Sequence, residues 1–275
     1  MTPQTLCYEP GSALIDVYHG SGDGGPAPTV LLWHGSGPSE RRALAPLAAA
    51  AAAAGLTVFV PDWRSTDPDG GWSLLAASID FVRSRGAQFG GDPGGFVLAG
   101  WSLGARAAVA TLTRPDAAGG WAPAVDIGWR PEQLGDWQPS AVVGLAGSFP
   151  QPQRVAELVD APTPLWLAHG VADQIVPVDD SRQLRDVLSR RGWSVRLDEL
   201  DVDHAGIVMA GFDESADVCV PATDPVVLDA GAVVVAALAV AAGLAGHGGG
   251  DREQGDEPVR QGADRRRVQQ RSDAD

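Results

Sequence analysis

The residues best placed to do chemistry begin at Ser102, in Gly100-Trp101-Ser102-Leu103-Gly104, directly after the apolar run Phe96-Val97-Leu98-Ala99. Residues 103–112 follow as an Ala-, Leu-, Val- and Arg-containing helix closed by Pro115. A Gly-Ser-Gly turn also occurs in ordinary α/β units, but strand, tight turn and helix in succession are the context that presents a reactive serine. Glycines on both sides let strand and helix approach without a Cβ clash, so the hydroxyl stands clear of the sheet. The chemistry expected of such a serine is acyl transfer. A hydroxyl is a weak nucleophile at neutral pH, so a base must lie within hydrogen-bond reach and an acid must orient that base.

On this kind of turn the partners follow in the chain order serine, acid, histidine. Asp173 is the expected acid, on the loop at the carboxyl end of Leu165-Trp166-Leu167-Ala168-His169-Gly170. Asp179 and Asp180 are rivals, but they follow Pro177 and read as first-turn residues whose carboxylates satisfy open amides. His204 is the expected base, since His247 sits in a glycine-rich tail and His19, His34 and His169 come too early in the order. Charge developing on the substrate oxygen needs fixed backbone donors. One is the amide of Leu103 at a helix start, and the other comes from the small residues of His34-Gly35-Ser36-Gly37.

The elements that must position these residues alternate. Strands are expected at 14–18, 30–33, 56–60, 96–99, 141–146, 164–168 and 194–200, and helices at 40–54, 72–85, 103–112, 181–191 and 225–244. This order predicts an α/β fold with a mostly parallel central sheet covered by helices on both faces. Residues 115–140, rich in Pro and Gly with Trp121, Trp129 and Trp137, are expected to form a small lid insertion. The domain is expected over 1–245, with 246–275 a disordered tail too poor in large apolar side chains to offset ordering entropy.

Composition removes other chemistries. The chain has 275 residues and 20 Lys plus Arg against 35 Asp plus Glu, a net charge of −15 that argues against a nucleic-acid partner. Every basic residue is an arginine, which excludes a P-loop lysine, a Schiff-base lysine and a Ser-Lys dyad. Cys7 and Cys219 lack zinc spacing and are expected to be buried free thiols. No metal or cofactor is expected. The start shows no basic and apolar signal pattern, so a cytoplasmic protein is expected, and 225–244 reads as a closing helix on the domain and not a membrane span.

On the elbow, the ordered triad and the oxyanion tetrapeptide, the chain resembles an α/β-hydrolase of the serine esterase kind over roughly residues 5–245. Val60-Pro61-Asp62-Trp63-Arg64 and Gly91-Asp92-Pro93 resemble segments of the short-chain carboxylesterase and feruloyl-esterase-like branch. The resemblance implies Ser102 as nucleophile, Asp173 as acid, His204 as base, and backbone of Gly35, Ser36 and Leu103 as the oxyanion hole, with Asp62 and Arg64 structural. The chain departs from many esterases at Ser36, where a third glycine is frequent, and at Ala105. Trp33, Trp63 and Trp101 lie at strand ends expected to face the serine, predicting a compact pocket for small apolar or aromatic esters. Thioesterase, amidase, peptidase and acyltransferase activities use the same triad. A non-catalytic binding protein on the same fold is the alternative outside enzymes, and the oligomeric state is not readable.

Overall fold

A computed structural model of the chain describes residues 1–9, 13–20, 25–37, 39–113, 137–159, 163–216 and 218–243. The compact unit Met1–Ala245 contains them all. Most of the expected lid and the whole of the expected tail lie outside the described residues.

Eight strands among the described residues form one sheet: β1 (Gln4–Glu9), β2 (Ala13–Tyr18), β3 (Thr29–Trp33), β4 (Thr57–Pro61), β5 (Val97–Trp101), β6 (Ala141–Leu145), β7 (Leu165–Gly170) and β8 (Val195–Leu200). Their spatial order is β1-β2-β4-β3-β5-β6-β7-β8. The pairs from β4 to β8 are parallel, whereas β1 and β2 join antiparallel at one edge. The inner strands β3, β4, β5 and β6 are buried along their whole length, which is why they read as continuous apolar runs instead of alternating ones.

Side chains still alternate between two cores, one on each face of the sheet. Leu31, Trp33 and Phe59 join one core, with α2 (Trp72–Arg85), α3 (Leu103–Ala110), α4 (Pro152–Leu158) and α5 (Val178–Ser189). Val30, Leu32, Val58 and Val60 join the other, with α1 (Ala45–Ala53) and α6 (Pro225–Ala241). Among the described residues no helix is long and apolar enough to cross a membrane.

The expected helix at 40–54 divides into a 3-10 turn, Glu40–Arg42, and α1. Pro46 sits in the first turn of α1, where its missing N–H is harmless, and so it marks where the helix begins. A small hairpin, β9 (Ala210–Asp213) and β10 (Val218–Pro221), stands apart from the main sheet. The two cysteines are free, as expected, but not buried: Cys7 is exposed on the edge strand β1 and Cys219 is half-buried on β10.

Candidate active site

Ser102 occupies the junction of β5 and α3 with φ 56° and ψ −119°. A non-glycine residue at positive φ is sterically costly and persists only where its surroundings over-determine it. Those surroundings are visible. The Ser102 amide donates to the Leu145 carbonyl at 2.8 Å, and the Ser102 carbonyl accepts from Ala105 N–H at 3.1 Å. A Cβ at Gly100 would collide with the Gly104 carbonyl, and one at Gly104 with the carbonyls of Trp33 and His34. The turn thus closes only with glycine at both places.

Asp173 and His204, the expected acid and base, meet on the loops after β7 and β8. Asp173 Oδ2 accepts from His204 Nδ1 at 2.7 Å, and Asp173 Oδ1 accepts from the backbone N–H groups of Ile175 at 2.8 Å and Val176 at 2.9 Å. The Asp173 side chain has no exposed surface. Burial by itself raises its carboxyl pKa, but hydrogen bonds with His169 and His204 and from Val176 N–H outweigh burial and hold it well below the ordinary range. Asp173 is therefore an anion at neutral pH facing His204. The rivals lie in the first turn of α5 as expected but do not cap its amides: Asp180 accepts from Ser148 Oγ at 2.9 Å and Phe149 N–H at 3.1 Å, and Asp179 pairs with Arg182.

Trp101 ties His204 to the turn at Ser102. Its indole N–H donates to the His204 carbonyl at 2.9 Å, and the two rings lie 5.1 Å apart between centroids. His204 is thereby held against the residue that precedes Ser102. Gly35 approaches from the other side: a Cβ placed there would stand 3.4 Å from Ser102 Cβ. The amide of Leu103 lies in the first turn of α3, where helix geometry leaves N–H groups without intrahelical acceptors. Ser36 follows Gly35 and turns its carbonyl to Ser65 Oγ at 3.0 Å.

Two of the three tryptophans expected in the pocket are core residues instead. Trp33 has no exposed surface, donates its indole N–H to Ser78 Oγ at 3.0 Å and packs edge-on against Trp72. Trp63 is equally buried, stacks on His34 and donates its indole N–H to the His34 carbonyl at 3.1 Å. Both ends of β3 and β4 are buried, so proximity to a strand end did not bring exposure. Trp101, 5% exposed, is the one of the three that touches the candidate machinery. Asp62 and Arg64 pair with Arg41 and Asp67.

His169 is the residue that reading by chain order discarded and the structure brings in. It is fully buried beside the acid, with Nε2 3.3 Å from Asp173 Oδ2. Its four-residue spacing from Asp173 across one strand end was the available signal. Among the described residues no cluster of His, Cys, Asp and Glu could hold a metal ion.

No family model and no curated protein matches the chain. Solved structures do. A native thermophilic esterase from the planctomycete Thermogutta terrifontis is 17% identical over 90% of this chain and 95% of its own, with a TM-score of 0.64. The esterase 2 of that species, phosphorylated by paraoxon, is 18% identical over 86% and 94%, with a TM-score of 0.63. A truncated carbohydrate esterase from gut microbiota is 18% identical over 88% and 97%, with a TM-score of 0.63. The fold is that of the α/β-hydrolases. In this fold Ser102, Asp173 and His204 all lie at the carboxyl ends of parallel strands, the side on which open α/β sheets bind ligands.

Proposed function

We propose that the protein is a cofactor-independent serine hydrolase acting on small apolar or aromatic carboxylic esters. The observation that carries this reading is the 2.7 Å Asp173–His204 hydrogen bond on a histidine that is also bound to Trp101, next to the strained Ser102. With Nδ1–H donated to Asp173, His204 presents Nε2 as the base. His204 takes the Ser102 proton as Oγ attacks the ester carbonyl, and the amides of Leu103 and of Gly35 or Ser36 receive the developing oxyanion. The tetrahedral intermediate expels the alcohol with the proton from His204. Water, deprotonated by the same imidazole, then releases the acid from Ser102.

A cavity opens on the Glu40 side of Gly35, and none of Ser102, Leu103, Asp173 and His204 lines it. This cavity of about 720 Å³ is bordered by Leu14, Glu40, Asp62, Phe212 and Val218, within the range usual for small-molecule sites. Glu40 connects it to the site, since its carboxylate would lie 3.0 Å from a Cβ at Gly35.

The test is a panel of p-nitrophenyl esters, acyl thioesters and peptide anilides with the parent protein and Ser102→Ala, together with a fluorophosphonate probe. The expected result is turnover of short-chain or aryl esters and labelling of Ser102, both abolished by the substitution. Preference for thioesters or anilides would move the substrate class. Absence of both turnover and labelling would leave a binding protein on a hydrolase fold.

A further inference from the structure

His169 meets the same carboxylate oxygen of Asp173 as His204 does. Its Nε2 is 3.0 Å from the Val176 carbonyl and 3.3 Å from Asp173 Oδ2, and its Nδ1 is 2.7 Å from Ser181 Oγ. Nε2 thus faces two acceptors, whereas Nδ1 faces a hydroxyl that can donate. Hydrogen-bond complementarity puts the ring proton on Nε2.

The same contacts hold both carboxylate oxygens. Val176, whose carbonyl His169 engages, is the residue whose N–H donates to Asp173 Oδ1 at 2.9 Å. Asp173 Oδ2 meets His169 directly and His204 at 2.7 Å. A carboxylate fastened at one oxygen by Ile175 and Val176 can still rock about that attachment, and rocking would move Oδ2 away from His204. His169 closes that freedom. It is anchored in turn by Ser181, a buried residue of α5, so the helix after β7 participates in aiming the acid.

We propose that His169 is a positioning residue for the Asp173–His204 pair: held by Ser181, it directs Nε2–H at Asp173 Oδ2 and at the Val176 carbonyl and fixes which carboxylate oxygen the base sees. The inference rests on the serine hydrolase reading for its catalytic meaning. Its physical content is the orientation of a carboxylate, which can be read without turnover.

The first experiment uses the parent protein. A nitrogen-15 correlation spectrum of the histidine rings is expected to show His169 protonated at Nε2, and an unprotonated Nε2 would overturn the proposal. The second compares His169→Phe, which fills the site without a donor, with His169→Gln, which returns an N–H. In His169→Phe, Oδ2 loses a competing donor, so the His204 Nδ1–H resonance should shift from its parental position. In the same variant kcat should fall ~10-fold with KM little changed. His169→Gln should recover most of that loss. A folded His169→Phe whose His204 Nδ1–H resonance and kcat superimpose on the parent would refute the inference, as would equal losses in the two variants. Fluorophosphonate labelling of the parent reports separately: an unlabelled Ser102 would remove the hydrolase reading while the His169 and His204 spectra still judged the positioning.

Discussion

Ser102 carries an unfavourable backbone conformation, and buried His34 carries pH dependence into the fold. His34, at the carboxyl end of β3, accepts the Trp63 backbone N–H on Nε2 at 3.1 Å, and its Nδ1 lies 3.0 Å from the Gly35 carbonyl. Burial pushes its imidazole down to about 4 from 6.5, with the Gly35 hydrogen bond opposing. Between those values the unfolded chain binds a proton that the folded chain refuses. The contribution is therefore fully present above pH 6.5 and is lost as pH falls toward 4. Urea unfolding at pH 7 and pH 5 should show this slope, and His34→Phe should flatten it. The same variant should lose about 1–3 kcal/mol at pH 7, because the Trp63 N–H is left without its acceptor. At this scale Ser102, Asp173 and His204 stood out as candidates because the expected mechanism imposes a chain order. His169 did not, since order ranks candidate bases and says nothing of a residue packed beside Asp173. Trp33 and Trp63 were misplaced for a related reason: a position near a strand end carries no information on depth.

At the scale of elements, the close approach of β5, α3 and β3 is what makes the serine turn. Gly104→Ala would push a methyl into the backbone carbonyls of Trp33 and His34, which cannot yield as a side chain could. A cost of about 1–3 kcal/mol is expected, together with slower labelling of Ser102 as the turn opens. Both can be measured on one preparation, and retention of parental labelling would show that the turn tolerates the displacement. Trp101→Phe tests a different junction. It keeps an aromatic ring against His204 but removes the indole donor to the His204 carbonyl, so kcat should fall while stability changes by about 1 kcal/mol. The long buried strands and helices were readable from apolar runs and their Gly and Pro punctuation. The hairpin of β9 and β10, four residues a strand, and α4, seven residues, were not, because such short segments give too few repeats of a hydrophobic period to stand out.

Across the whole molecule, one buried ionic cluster joins regions far apart in sequence. Arg41, after β3, bonds Asp16 of β2 at 2.9 Å and also Asp62 beyond β4, while Thr5 of β1 donates to Asp16 at 2.6 Å. Arg41 and Asp16 are 13% and 8% exposed at the side chain. Removing the cation alone, as in Arg41→Met, would leave two carboxylates confined without a partner and should cost about 3–5 kcal/mol in urea unfolding. Adding Asp16→Asn and Asp62→Asn should restore much of that loss. The alternation of elements foretold a mostly parallel sheet with two covered faces, but this antiparallel edge and its ionic clasp depend on pairing between distant segments, which no local pattern specifies.

The opposite border of the sheet has its own consequence. β8 ends the ladder and places Arg196, Asp198 and Glu199 along it, with Arg196 bonded to Asp198 and Glu199 to Arg182. A foreign strand seeking to extend the sheet there would have to dehydrate this row of ions. Concentrated solutions should consequently resist fibrillar growth from that rim, and replacing Arg196 and Glu199 with threonine should be enough to raise light scattering on storage.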